Sequence, residues 1–228
     1  DHILQIENEY YSPIRPKQIA MSGESPTEAL ERRGIAYVEF RAIDLDPYSD
    51  IGIRLSSACF LEVMALYCLL SDSPELMPAE EEALAVNVER VVNEGRRENL
   101  QIINNGDEQT LESWMLMHLS RMQPLAELLD AHYGGNEYRT AVALMQGKAG
   151  HSESTISAQV NSDSKRLGSL WQLGFTLAQQ HRESILQQTL SPNTQAKYEV
   201  LAEKSILQQA ELEAAETEDF MEFLQQYR

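Results

Sequence analysis

The sequence predicts an α+β chain: a few antiparallel strands first, then a mainly α-helical region. Three observations carry this. Apolar and polar residues alternate with period two in two stretches of residues 1–53. From Arg54 onward the apolar residues recur with helical spacing. Proline and glycine punctuate most of those helical stretches at their ends. The expected organisation is therefore 1–53, carrying strands and the residues of a polar site, and 54–228, helices packing outside the sheet.

The first strand runs through Leu4 and Ile6, which alternate with Gln5, Glu7 and Glu9; Tyr11 shares the parity of the acids. Pro13-Ile-Arg-Pro-Lys17 then breaks regular structure, because proline cannot donate to a ladder. Ser22-Gly-Glu-Ser-Pro26 reads as a loop, and Thr27 as the cap of a short helix ending at Arg33–Gly34. A second strand spans Ile35 to Ile43, followed by a loop around Pro47, Tyr48 and Gly52. Residues 56–70 form an apolar helix with Phe60, Met64 and Tyr67 in its core. Pro78 opens a helix that Gly95 stops, and residues 96–108 read as irregular. A helix runs from Thr110 to Tyr133, with Pro124 as a kink or a new start, and Gly134-Gly135 ends it. Further helices are expected at about 136–147, 163–189 and 194–213, and a final short one, capped by Thr217, reaches Tyr227.

Composition limits the function. The chain of 228 residues is 43% hydrophobic, enough for a substantial core. Its 36 acidic and 18 basic residues give a formal charge of −18, which repels nucleic acid and anionic lipid. Any phosphate ligand must be met by local cations or a metal ion. Cys59 and Cys68, nine helical residues apart, lie on opposite faces at about 13 Å, beyond the roughly 7 Å reach of a disulfide. That suits a reducing cytoplasm. No apolar run has transmembrane length, and no signal peptide opens the chain. The start at Asp1, directly in a strand-like run, implies that preceding residues were removed or belong to another polypeptide.

The polar strand faces supply the candidate site. Glu39 and Arg41 are two apart, so they share one face at roughly 7 Å, with Tyr37 and Ile43 beside them. Val38, Phe40 and Ala42 point the other way. A solvated sheet face with a surface ion pair gives the same pattern. Glu7, Glu9 and Tyr11 form a second such face, and carboxylates suit a hard cation. Arg15 and Lys17 are candidates for a phosphate, or are simply solvated. His118, in a Met- and Leu-rich helix, reads as a packed core histidine.

Three segments in order, Ile6-Glu-Asn-Glu-Tyr-Tyr-Ser-Pro-Ile-Arg-Pro-Lys17, Ser22-Gly-Glu-Ser-Pro26 and Gly34-Ile-Ala-Tyr-Val-Glu-Phe-Arg-Ala-Ile-Asp-Leu-Asp-Pro47, closely resemble the proteobacterial glutamate–cysteine ligases. Looser likeness continues through Asn93-Glu-Gly-Arg96, Gly134-Gly135 and Glu213-Ala-Ala-Glu-Thr-Glu218. The resemblance implies the C-terminal portion of such a ligase, with part of a glutamine-synthetase-like antiparallel sheet funnel. It implies ATP-dependent joining of the γ-carboxylate of L-glutamate to the amine of L-cysteine through γ-glutamyl phosphate, the first step of glutathione synthesis. Mg²⁺ or Mn²⁺ is the implied cofactor and ATP the co-substrate. By resemblance Glu39 is a metal ligand, with Glu7 and Glu9 as further ones. Arg41 stands at the transferring phosphoryl or the glutamate carboxylate, Tyr11 in the cysteine pocket, and Arg15 at ATP phosphate.

Complete members are longer, and their first half supplies further metal ligands and much of the sheet. The expectation is that this chain is inactive alone and works with that N-terminal half, covalently or as a nicked partner, without nucleic acid or membrane. Two alternatives stand beside it. One is a non-catalytic helical binding or regulatory module derived from the ligase. The other is a related amine ligase with a different acceptor.

Overall fold

The computed structural model describes residues 12–21, 23–215 and 220–227. Its fold is α+β, with two antiparallel strand pairs among helices. By contacts the chain divides into two units, Asp1–Asp44 with Gln187–Arg228, and Leu45–Leu186.

In the first unit β1 (Ile14–Lys17) pairs antiparallel with β2 (Tyr37–Phe40). The strand through the prolines corrects the expected break at 13–17. The Pro13 carbonyl accepts from the Arg41 N–H at 2.7 Å and the Lys17 carbonyl from the Ala36 N–H at 2.9 Å. Pro16, opposite Val38, has the other parity, so β2 asks no N–H of it. The pairing covers a shorter stretch than Ile35 to Ile43.

Helix α1 (Pro26–Arg33) joins the strands. Its cap is Ser25 rather than Thr27: Ser25 accepts from the Glu28 N–H, and Glu28 accepts from the Ser25 N–H, a reciprocal box with Pro26 in the first turn. The same unit holds α8 (Pro192–Ala215) and α9 (Phe220–Tyr227). Thr217 lies outside the described residues.

The second unit has its core between α2 (Leu55–Leu70), α4 (Leu111–Tyr133) and α5 (Glu137–Ala149). Val63, Leu119, Met122, Ala126, Leu129 and Val142 are buried there, with Phe60, Met64 and Tyr67 packed against them. Helix α4 runs unbroken through Pro124, and Thr110 caps it by accepting from the Ser113 N–H at 3.1 Å. The α4–α5 corner is held by the buried Asp130. Its carboxylate accepts from the N–H groups of Tyr138 and Arg139 at 3.0 and 3.2 Å, and from Arg139 Nε at 2.8 Å. Burial pushes this carboxyl up, but the Arg139 guanidinium and the two N–H donors outweigh it and keep it below the usual range.

The stretch expected to be irregular is a hairpin, β3 (Gln101–Asn104) with β4 (Asp107–Thr110). Asn105 at φ 52° and Gly106 at φ 85° make the turn, whose two central residues both need positive φ. Helix α3 (Pro78–Glu94) covers the outer edge of β3. Asn87 donates to the Ile103 carbonyl at 2.7 Å and accepts its N–H at 2.8 Å, standing in for a neighbouring strand. The expected helix at 163–189 is two helices, α6 (Ile156–Leu167) and α7 (Leu170–Gln187), broken at Gly168 in the left-handed region (φ 91°). The 45–54 loop is tied to both. Tyr48 donates to Asp163 at 2.8 Å, and His181 Nε2 donates to the Pro47 carbonyl at 2.9 Å.

Candidate functional site

The β1–β2 register decides which side chains meet. Arg15 stands opposite Glu39 and Lys17 opposite Tyr37, so both cations share the face of Glu39 and Arg41. On that face Arg41 Nε lies 3.4 Å from Glu39 Oε2 and Lys17 Nζ lies 3.8 Å from the same oxygen. Glu39 Oε2 is shielded from solvent yet has no hydrogen-bond partner. Arg15, half-buried, makes no hydrogen bond or ion pair among the described residues. The face thus carries three cations to one carboxylate, in a chain of net charge −18. Such a surface is suited to an anionic substrate. Glu7, Glu9 and Tyr11 lie outside the described residues.

A clip beside the face fixes the β1–β2 connection. Glu24, whose side chain is 7% exposed, accepts from Arg33 at 2.6 and 2.9 Å, from Arg32 at 3.2 Å and from the Met21 N–H at 3.0 Å. Arg33 also donates to the Ile19 carbonyl, and Gln18 to the carbonyls of Arg33 and Gly34. The Arg33 hydrogen bonds, then the Met21 N–H, hold the Glu24 carboxyl at about 2 against an ordinary 4.5. A lowered folded-state value means that the unfolded chain takes up the proton first. The clip's contribution is therefore full above pH 4.5 and lost as pH falls through about 2. The Glu24 side-chain carboxyl carbon resonance should stay fixed down to pH 4.5 and move only as pH approaches about 2. Movement centred on 4.5 would mean an ordinary, unclipped carboxyl.

A divalent cation finds one suitable ligand here. Glu39 offers a carboxylate, the donor type a hard cation takes, and its Oε2 has no hydrogen bond. Among the described residues no group of three His, Cys, Asp or Glu stands ready for a metal ion. Glu39 therefore fits as a single ligand that needs companions. His118 is structural. His118 Nδ1 is 2.9 Å from the Tyr67 hydroxyl, and its ring stands edge-on to Trp114 at 4.5 Å. Burial, then Arg121, lowers its basicity. Cys59 is buried and Cys68 exposed, and both are free. The sequence reading noticed Lys17 but missed its pairing with Glu39, which only the register reveals. It also missed the Glu24 clip, signalled by the acid Glu24 just before α1 and the base Arg33 in its last turn. No described helix is long and apolar enough to cross a membrane.

Residues 1–91 match the family model for glutamate–cysteine ligase. The glutamate–cysteine ligase of Alcanivorax borkumensis is 41% identical over 228 residues, covering 99% of this chain and 43% of that protein. The ligase of Azotobacter vinelandii is 40% identical over 229 residues, with 100% and 43% covered. The crystal structure of the Francisella tularensis ligase in complex with AMP superposes with a TM-score of 0.86 at 30% identity, over 100% of this chain and 45% of that one. A bifunctional glutathione synthetase from Pasteurella multocida, at 24% identity and a TM-score of 0.56, shares the fold over 78% of this chain. The chain spans less than half the length of the curated relatives it matches. In sequence and in backbone course, the chain is thus related over its whole length to part of the glutamate–cysteine ligases.

Proposed function

We propose that this chain is the C-terminal portion of a cytoplasmic glutamate–cysteine ligase and carries one wall of its active site. The observation behind the proposal is the full-length match at 41% identity to 43% of a ligase. The cationic β1–β2 face supplies a chemical setting for it.

In the proposed reaction the γ-carboxylate of L-glutamate attacks the γ-phosphorus of ATP, giving γ-glutamyl phosphate and ADP. The amine of L-cysteine then attacks the γ-carbonyl carbon. The C–O bond to phosphate breaks, phosphate leaves, and the amine gives up a proton. Such a reaction needs positioning and charge neutralisation above all. Arg41 offers a planar fork of donors to phosphoryl or carboxylate oxygens. Arg15, without a partner among the described residues, adds charge for ATP phosphate. Tyr11 is assigned to the cysteine carboxylate. Glu39, with Glu7 and Glu9 as further candidates, would hold Mg²⁺ or Mn²⁺, which when bound neutralises phosphate oxygens. The two-stranded sheet of the described residues is marginal by itself, so the funnel needs further strands, among them those of the remaining portion of the enzyme.

The experiment is turnover with and without that portion. Purified alone, this chain is expected to form no γ-glutamylcysteine from glutamate, cysteine and ATP. Co-expressed with the remaining ligase sequence, it is expected to do so. Turnover by the lone chain would contradict the assignment.

A further inference from the structure

The strands β1 and β2 are short, and the sheet face opposite Glu39 and Arg41 is open: Ile14 and Val38 are each 50% exposed. A face so little buried specifies register weakly. A slip of one residue would carry the side chains of β2 to the other side of the sheet. The connection through α1 supplies what the ladder lacks. Gln18, the first residue after β1, donates to the Gly34 carbonyl at 3.0 Å, shortly before β2. Gly34 has φ 70°, in the region that favours glycine, and its N–H closes α1 on the Leu30 carbonyl at 2.8 Å. Arg33 reaches back across the connection to the Ile19 carbonyl at 2.8 Å. Glu24 is the hub of these ties, because its shielded carboxylate gathers Arg33, Arg32 and the Met21 N–H. Without it the Arg33 guanidinium, 30% exposed, loses its carboxylate acceptor. The segment leaving β1 is thus tied to the last turn of α1, which leads into β2. Ladder bonds bracket the paired stretch, from the Ala36 N–H to the Lys17 carbonyl and from the Arg41 N–H to the Pro13 carbonyl.

We propose that Glu24 is a positioning residue of the active site: with Arg33 and Gln18 it locks the β1–β2 connection in the register that sets Glu39 and Arg41 on the face shared with Lys17. The inference rests on the ligase reading for the reaction that is served, and on the geometry of the connection alone for the lock. Glu24 touches no substrate in this account. It acts through the place of Arg41, so its loss falls on the step in which Arg41 meets developing charge, and less on the binding of any one substrate. Glu24 and Arg33 act as a unit, because each is the other's main partner in the clip.

The test compares Glu24→Gln, Arg33→Gln, their double variant and Glu24→Asp in the complete ligase, with kcat and each KM measured beside the urea midpoint. Each single Gln variant is expected to lower kcat about tenfold, with the KM values for ATP, glutamate and cysteine within about threefold of wild type. The double variant should lose no more than the worse single one, and Glu24→Asp should recover part of the rate. A kcat within about twofold of wild type in Glu24→Gln overturns the proposal, whatever the midpoint does, because the clip then serves stability alone. A double variant whose loss is the product of the two single losses overturns it too, since the residues then act apart. If the wild-type ligase itself makes no dipeptide, the reading as a glutamate–cysteine ligase fails, and hydrogen exchange in this chain decides the lock. In Glu24→Gln the Ala36 and Arg41 amides should exchange about ten times faster, while the Val63 amide in the core of the second unit keeps its rate. Unchanged Ala36 and Arg41 rates, or equal acceleration at Val63, overturn the lock.

Discussion

Arg41→Ala in the complete ligase is expected to lower kcat about a hundredfold or more, with little change in folding. The backbone of Arg41 is fixed by its N–H bond to the Pro13 carbonyl, and its guanidinium lies against Glu39 on the polar face of the sheet. Removing the side chain deletes positive charge where the proposed reaction moves a phosphoryl group, and it leaves the strand pairing untouched. Arg41→Lys should recover only part of the rate, because an ammonium is a point charge without the planar fork. Arg97→Ala removes an exposed pair with Glu94 at the end of α3 and serves as the control that leaves turnover intact. Near-normal kcat in Arg41→Ala would contradict the role assigned to this face.

The largest stability loss is expected at Leu119. This residue is 4% exposed and packs in the α2–α4–α5 core with Val63, Met122 and Val142. Leu119→Ala removes buried methyl groups and leaves a cavity that packed helices close only in part, at a cost of about 2–5 kcal/mol. Leu128, in the same helix but 65% exposed, should tolerate alanine within about 0.5 kcal/mol in this chain. Urea unfolding followed by circular dichroism reads both differences as shifts of the midpoint. Equal midpoints for the two variants would mean that α4 does not use the face described here.

The helices were largely legible because their signals are local. Pro78 opens α3 and Gly95 follows its end, while Gly134 follows α4, and these residues can be read without knowing what the helix touches. Where reading failed, distant partners decided. Pro13 and Pro16 argue against a strand when taken alone. They are tolerated because Pro13 only accepts and Pro16 has the parity that faces away from β2. The Asn105–Gly106 turn was written in the sequence, but its strands are short, and the polar Asn87 that completes the edge comes from another helix. Gly168 divides α6 from α7 by one residue in the left-handed region, within an otherwise continuous helical pattern.

The site shows the same limit. The shared face of Glu39 and Arg41 follows from spacing in one strand. That Lys17 approaches Glu39, and that Arg15 stands opposite it without pairing, follows only from the register between two strands separated by α1. No periodicity in either strand contains that register, since it is set by the length of the connection and by the Glu24 clip within it.

The most direct measurement of the central claim uses glutamate labelled with ¹⁸O in its γ-carboxylate. This chain, combined with the remaining ligase portion, ATP and cysteine, should pass label into the released phosphate as γ-glutamylcysteine forms. Omitting either polypeptide should stop both. Dipeptide formed with unlabelled phosphate would contradict the γ-glutamyl phosphate route. Full turnover with this chain left out would contradict its place in the active site.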